Sequence, residues 1–177
     1  FSPATCFNKT YGGTRIDMAD SIEPTSDGGY VIGGYSNSFG DLSYKPWLLK
    51  ARADGSVCDY LFLSGVCQDS QSFSKMFDDL NTGHHGYGRS VKQTNDGGYV
   101  FLLEEAINSF ESNIWLIKTD ANGNTCDFVS GNGLCSSSGV FSRKFGVTGG
   151  FSQPNDIQQT SDGGYVMVGS INGNAQT

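Results

Sequence analysis

The two histidines, His84 and His85, are the residues with the most obvious capacity for chemistry, and they are adjacent in a glycine-rich segment. A histidine can act as an acid–base group or as a metal ligand near neutral pH. Neighbouring residues of an extended chain point to opposite faces, so an adjacent pair makes a poor chelate. The pattern therefore favours a pair of solvated loop residues over a metal or acid–base site.

A second candidate is a run of oxygen-bearing side chains at alternate positions, Asp120, Asn122 and Asn124. Alternating carboxylate and amide oxygens can bind calcium. The corresponding segment earlier in the chain has Arg52 where this one has Asp120, and so lacks the first ligand. A plain Asn-Gly hairpin turn is the favoured interpretation, and calcium stays the one possible cofactor.

The other acidic side chains occur in two groups, and a solvated acidic surface is favoured over paired catalytic carboxylates. Asp17 or Asp20 could still bind calcium from a sheet edge. The chain has no nucleophile-elbow, zinc-helix or phosphate-binding Gly-Lys motif. We therefore predict no catalytic residues. The two acidic groups are Asp17, Asp20 and Glu23, and Asp78 and Asp79.

Four of the five cysteines form two pairs with the same spacing of nine residues, Cys58 with Cys67 and Cys126 with Cys135. Zinc sites usually have cysteines two to four residues apart, so two local disulfides are favoured. Closing such a loop stabilises the fold by roughly 2.5 to 3 kcal/mol in the chain-entropy model. Disulfides indicate an oxidising, extracellular setting.

The fifth cysteine, Cys6, has no evident partner in the chain. It is either a free buried thiol, which is slightly favoured, or a cross-link to a neighbouring molecule. Asn8 begins the one Asn-Lys-Thr sequon and is a glycosylation candidate in a secreted protein.

These residues belong to a repeated framework, in which one phrase occurs at Ser26–Val31, Asn95–Val100 and Ser161–Val166. The three aspartates are separated by 69 and 66 positions, a period typical of stacked or radially arranged units. Asp-Gly between apolar runs is a strong hairpin signal, and the aspartate side chains are expected to bond the local backbone. The predicted turn residues are Asp27, Gly28, Gly29, Asp96, Gly97, Gly98, Asp162, Gly163 and Gly164.

Downstream of the phrase, Trp47–Lys50 matches Trp115–Lys118. Short apolar runs between turns predict about four β-strands per unit, with the cysteine segments as loop insertions. The recurring aromatic residues Tyr30, Tyr99, Tyr165, Trp47 and Trp115 are expected to form the core. The predicted units are the tail of a preceding repeat (1–18), two repeats with disulfide insertions (19–87 and 88–153) and half of a third repeat (154–177).

The repeat resembles one that is common in prokaryotic secreted and cell-surface proteins, with a consensus of the type Gln-Thr-Ser-Asp-Gly-Gly-Tyr, Trp-Leu-Ile-Lys, Asn-Gly-Asn and Lys-Thr-Tyr-Gly-Gly. Ser90–Tyr99, Trp115–Lys118, Asn122–Asn124 and Lys9–Gly13 carry the resemblance. It implies an all-β fold of four-stranded antiparallel blades like those of a β-propeller. It implies little about activity.

About two and a half such units are too few to close a ring within one chain, and uncovered sheet edges attract other chains. We therefore predict an extracellular structural protein whose copies join head-to-tail into a filament or surface layer. A closed ring or dimer, or a piece of a longer protein, stays open. A carbohydrate- or protein-binding adhesion module, with Gln68–Gly88 and Gly131–Ser142 as its rim, is the alternative function. A propeller glycosidase is the least favoured.

The composition and charge of the chain further restrict the classes of partner that it can bind. The net charge of −7, without a basic cluster, argues against nucleic acid. No apolar run approaches the roughly 20 residues of a membrane-spanning helix. The expected partners are copies of the same chain and surface glycans, at an extracellular or cell-surface location.

Overall fold

The computed structural model describes residues 6–40, 42–57, 71–77, 84–126, 134–146 and 149–172. Within these ranges the chain forms antiparallel β-strands and turns, and none of the described residues is helical. The predicted all-β class is confirmed, and none of the sheets closes on itself.

Sheet 1 contains four strands in the order of the chain. These are β1 (Asp17–Pro24), β2 (Tyr30–Ser36), β3 (Lys45–Ala51) and β4 (Phe73–Met76), and each neighbouring pair is antiparallel. Burial alternates over the first four residues of β2, where Val31 and Gly33 are buried and Tyr30 and Ile32 are half-buried, as expected for a strand whose two faces meet different surroundings.

Sheet 2 repeats this arrangement and adds a fifth strand. Its strands are β5 (His85–Gln93), β6 (Tyr99–Asn108), β7 (Glu111–Thr119), β8 (Cys135–Ser137) and β9 (Val140–Phe145), in the spatial order β5-β6-β7-β9-β8.

The fifth strand differs from the expected four-stranded unit. The second cysteine insertion was expected to be a loop, but its end folds into a hairpin of β8 and β9. Gly139 makes this hairpin possible, since its φ of +77° is strained for residues with a side chain. A short turn thereby brings Cys135 to the edge of sheet 2.

Sheet 3 has two strands, β10 (Phe151–Gln159) and β11 (Tyr165–Asn172). The first strand of each sheet starts before the unit boundary predicted at residue 19, 88 or 154, so each boundary falls within β1, β5 or β10.

Two apolar cores hold the three sheets in a stack. The core between sheets 1 and 2 combines side chains from both, and a smaller core between sheets 2 and 3 is built in the same way. The first contains Val31, Leu48, Phe73, Phe77, Val91, Tyr99, Phe101, Leu103, Trp115 and Ile117. The second contains Val100, Leu102, Leu116 and Ile157, with Ile114, Phe141, Tyr165 and Met167 packed against it.

The five aromatic residues expected in the core are unequally buried. Trp47, Tyr99 and Trp115 are buried, whereas Tyr30 and Tyr165 are half-buried. Each tryptophan is held by the neighbouring strand of its sheet, because its indole N–H donates to a serine hydroxyl, Trp47 to Ser74 of β4 at 2.8 Å and Trp115 to Ser142 of β9 at 2.6 Å.

Candidate functional site

The hairpin turn of the repeated phrase has the same hydrogen bonds in all three copies. In the first, Asp27 Oδ1 accepts from the Thr25 hydroxyl at 2.5 Å and from the Gly29 N–H at 3.1 Å. Asp96 and Asp162 make the same pair of contacts. The repeated aspartates therefore bond the local backbone.

In the first two copies the aspartate also binds a lysine from the third strand of its sheet. Lys50 Nζ lies 2.9 Å from Asp27 Oδ2, and Lys118 Nζ lies 2.9 Å from Asp96 Oδ2. Both lysines are buried, with 1% and 3% of their surface exposed. Lys118 also donates to the Thr119 carbonyl at 2.7 Å. The pair ties the hairpin turn to the end of the third strand.

These contacts lower the pKa values of the two aspartates. Partial burial raises the pKa of Asp27, but the hydrogen bonds from Thr25 and Lys50 outweigh it and hold the pKa at about 2. The pKa of Asp96 is also lowered to about 2, by Thr94 and Lys118 against the same opposing effect of burial. Both carboxylates are therefore charged at any ordinary pH.

A loss of stability in acid follows from these values. Both folded-state pKa values lie below the ordinary 3.8, so the contribution of each pair is present above pH 4 and is lost as pH falls towards 2. We expect about 1 kcal/mol from each pair, since solvent screens these partly exposed carboxylates.

Denaturant unfolding of the native chain and of the Asp27→Asn/Asp96→Asn variant measures this contribution. The difference between their unfolding free energies should shrink between pH 4 and pH 2. A difference that stays constant across this range would contradict the assigned pairs.

The two histidines contact different neighbours. His84 Nδ1 lies 3.1 Å from Glu105 Oε1, whereas His85 Nδ1 accepts from the Tyr44 N–H at 3.1 Å. Within the described residues, no set of three histidine, cysteine or acidic side chains could hold a metal ion.

The calcium candidates form a compact turn. Asp120 Oδ1 accepts from the N–H groups of Asn122 and Asn124 at 2.9 and 2.8 Å, and Asn124 Oδ1 accepts from Lys75 at 3.0 Å. These are the contacts of an Asx-type turn. Calcium binding by these residues stays a prediction.

The acidic residues near β1 each have a polar partner. Asp17 accepts from the Ser38 hydroxyl at 2.7 Å, Asp20 faces Arg89, and Glu23 pairs with Lys92. The second acidic group, Asp78 and Asp79, lies outside the described residues.

The disulfide between Cys126 and Cys135 is confirmed, with a Cα–Cα distance of 5.9 Å. It indicates a non-reducing environment. Cys58 and Cys67 lie outside the described residues.

Two further candidates lie in residues 6–16, the described residues before β1, which we call the first described segment. Cys6 carries a free and exposed thiol, so the interpretation as a buried thiol is wrong. A cross-link from Cys6 to another molecule stays a prediction. Asn8 is exposed, as glycosylation requires.

The two proposed rim segments are only partly described. Residues 68–70 and 78–83 of the first, and residues 131–133 of the second, lie outside the described ranges. The described part of the chain contains no helix long and apolar enough to cross a membrane.

Sequence reasoning missed two surfaces that the sheets of the described residues leave exposed. We call the surface of sheet 1 that points away from sheet 2 the leading face, and it carries Ile22 and Ile32. The surface of sheet 3 that points away from sheet 2 is the trailing face, and it carries Val166 and Val168. Their exposure differs sharply from that of their equivalents elsewhere in the repeat.

The first strand of each sheet shows this difference on the leading face. Val91 and Ile157 hold the same place in β5 and β10 and are 0% and 1% exposed, because the preceding sheet covers them. Ile22 holds that place in β1 and is 62% exposed.

The second strand of each sheet shows the same difference in exposure on the trailing face. Val31 and Val100 are both 0% exposed beneath the next sheet, whereas Val166 at the same place in β11 is 52% exposed. Each face thus exposes side chains that are buried at the equivalent positions of the other sheets. Their alignment in the repeat is the signal that could have revealed them.

The leading face also contains an apolar cavity of about 170 Å³. It lies between sheet 1 and the first described segment of the chain. Its lining comprises Tyr11, Asp17, Met18, Ala19, Ile32, Gly34, Trp47 and Leu49.

Comparisons of this chain with protein-family models, with curated proteins and with solved structures found no match. The assignment of a function therefore rests on the geometry described above.

Proposed function

We propose that this is an extracellular structural protein whose copies stack head-to-tail, the trailing face of one against the leading face of the next. The main support for this proposal is that Ile22 and Val166 are exposed, whereas every equivalent residue is buried between sheets. Leaving such apolar surface in water is unfavourable by roughly 25 cal/mol per Å². A second copy of the chain is the occupant that fits, because both faces belong to one repeated packing mode.

Polar contacts between the stacked sheets support this choice of partner. The Val91 N–H donates to Ser21 Oγ between sheets 1 and 2 at 3.2 Å, and Ser90 Oγ donates to Asp156 Oδ1 between sheets 2 and 3 at 2.6 Å. At a junction between copies, Asp156 of one copy would meet Ser21 of the next. A carboxylate and a hydroxyl can again form a hydrogen bond there.

The first described segment already occupies part of the place that a preceding sheet would take. The ring of Phe7 packs edge-on against Tyr30, with centroids 5.8 Å apart. In the same way Phe73 of sheet 1 packs against Tyr99 of sheet 2, at 5.6 Å. The segment therefore imitates the outer strand of a preceding sheet and leaves the inner part of that place open for strands such as β10 and β11.

Charge substitutions on the two faces test the proposal. Ile22→Asp and Val166→Asp should each abolish assembly, because either places a carboxylate in an apolar junction. Phe110→Asp is the matched control, since Phe110 is 84% exposed in the turn between β6 and β7 and belongs to neither face. Electron microscopy and analytical ultracentrifugation report the assembly state.

Mixing the two variants separates head-to-tail stacking from a symmetric contact. Each variant retains one intact face, so an equimolar mixture should form dimers and nothing larger. A native chain that stays a dispersed monomer would overturn the proposal. Assembly that survives either single substitution would do the same.

A further inference from the structure

Each of the three sheets has a β-bulge at the same place in its first strand. The pairing of β1 with β2 skips Asp20, that of β5 with β6 skips Arg89, and that of β10 with β11 skips Asn155. A bulge inserts one extra residue and redirects its side chain, and bulges are over-represented at sheet edges and next to active sites. Three equivalent bulges in stacked sheets bring three polar side chains into one row.

The row lines an open cavity of about 370 Å³. Its lining consists of Asp20, Arg89, Gln153, Pro154 and Asn155, so all three bulged residues contribute to it. A cavity of this size is within the range of small-molecule sites, and its lining is mainly polar.

Arg89 is held in place from behind. Its Nη2 donates to Glu104 at 2.6 Å, and the side chain of Glu104 is only 4% exposed. The guanidinium also lies over the ring of Tyr87, with Cζ 5.4 Å from the ring centroid. Nη1 donates to Asp20 at 3.2 Å. The cation is therefore oriented before any ligand arrives, which lowers the entropy cost of binding.

The charges around the cavity decide the class of ligand. Asp20 and Glu104 together outweigh the single charge of Arg89, so an anionic ligand is disfavoured. A neighbouring acceptor and donor, Asp20 and Arg89, suit a hydroxyl that donates to one and accepts from the other. The side-chain amides of Gln153 and Asn155 can each do both.

We propose that this cavity binds an uncharged, polyhydroxylated ligand, a neutral sugar of a surface glycan. The site uses the bulged residues of the first strands, not the loop rim expected from the sequence. Its residues differ from those on which the two faces were identified, so ligand binding can be measured separately from head-to-tail stacking. Because none of the described residues that line the cavity is aromatic, we expect a dissociation constant on the order of 1 mM.

Saturation-transfer NMR with the methyl glycosides of glucose, galactose and mannose tests the site. This measurement observes the ligand, so it works for dispersed and assembled protein alike. We expect transfer to at least one neutral sugar and weaker transfer to glucuronate. Asn155→Ala and Gln153→Ala should each weaken binding about tenfold, since each removes a hydrogen-bonding amide.

Gln158→Ala is the control, because Gln158 is an exposed amide of the same strand that does not line the cavity. It should bind as the native chain does. No transfer to any neutral sugar, or equal transfer in the native chain and the Asn155→Ala variant, would overturn the proposal. Stronger binding of glucuronate than of glucose would also overturn it. The assembly experiments use other variants and another measurement. Failure of one proposal therefore leaves the other intact.

Discussion

Replacing Phe101 by alanine should lower the free energy of unfolding by about 3 to 5 kcal/mol, the range for a buried phenylalanine. Phe101 is 0% exposed in the core between sheets 1 and 2. Its ring fits a slot shaped by glycines, since a Cβ at Gly33 would lie 2.6 Å from the ring and one at Gly88 would lie 2.4 Å from it. Removing the ring would leave a cavity between Gly33 and Gly88, because neither glycine has a side chain that could move into the space.

Denaturant unfolding at a fixed protein concentration measures this loss. Phe110→Ala is the matched control, and it should change the free energy by less than about 0.5 kcal/mol because Phe110 is exposed. A loss below about 1 kcal/mol for Phe101→Ala would contradict the packing of sheet 1 on sheet 2.

The turns were predictable from the sequence because their chemistry is local. An aspartate followed by two glycines carries the positive φ of its turn within the phrase itself, and Gly28, Gly97 and Gly163 adopt φ of +83°, +81° and +86°. The same locality explains why Cys126 and Cys135 could be paired correctly. Both features need only a few neighbouring residues.

The buried lysines were missed for the opposite reason. In a strand such as Trp115–Lys118, a terminal lysine normally points to water, and its partner Asp96 belongs to an earlier strand connection. The available signal was that Lys50 and Asp27 recur together as Lys118 and Asp96. The lysine becomes buried only in the assembled sheet, so its burial cannot be recognised from the sequence.

The bulged positions could not be recognised from the aligned repeats, because they share no residue type. Asp20, Arg89 and Asn155 occupy one place in the repeat, yet they share neither charge nor shape. A bulge is defined by counting residues on two paired strands, which is information that a single strand does not hold. The cavity they line could therefore be recognised only from the register of the sheets.

Removing the buried charge of Lys118 is the second change with a large expected effect. Lys118→Met should lower the free energy of unfolding by about 2 kcal/mol, because hydrogen bonds to a charged group are lost while the remaining carboxylate of Asp96 is 55% exposed and stays solvated. Methionine keeps most of the side-chain volume, so packing changes little. The variant loses the hydrogen bonds to both carboxylate oxygens of Asp96 and to the carbonyl of Thr119, a fully buried residue.

Lys92→Met is the matched control, because Lys92 pairs with Glu23 while 21% of its side chain stays exposed. Solvent-exposed ion pairs contribute little, so its cost should stay below about 1 kcal/mol. Equal losses in the two variants would show that burial does not strengthen the pair between Lys118 and Asp96.

A double-mutant cycle assigns the loss to the pair itself. Asp96→Asn leaves Lys118 buried beside a neutral amide, and Lys118→Met leaves Asp96 its hydrogen bonds from Thr94 and Gly98. If the two charges hold the turn to β7, the double variant should lose less than the sum of the single losses, by about 1 to 2 kcal/mol. Additive losses would mean that each side chain acts alone. Coupling would instead make the aspartate and lysine of the repeat a single structural unit, which explains why each complete copy contains both.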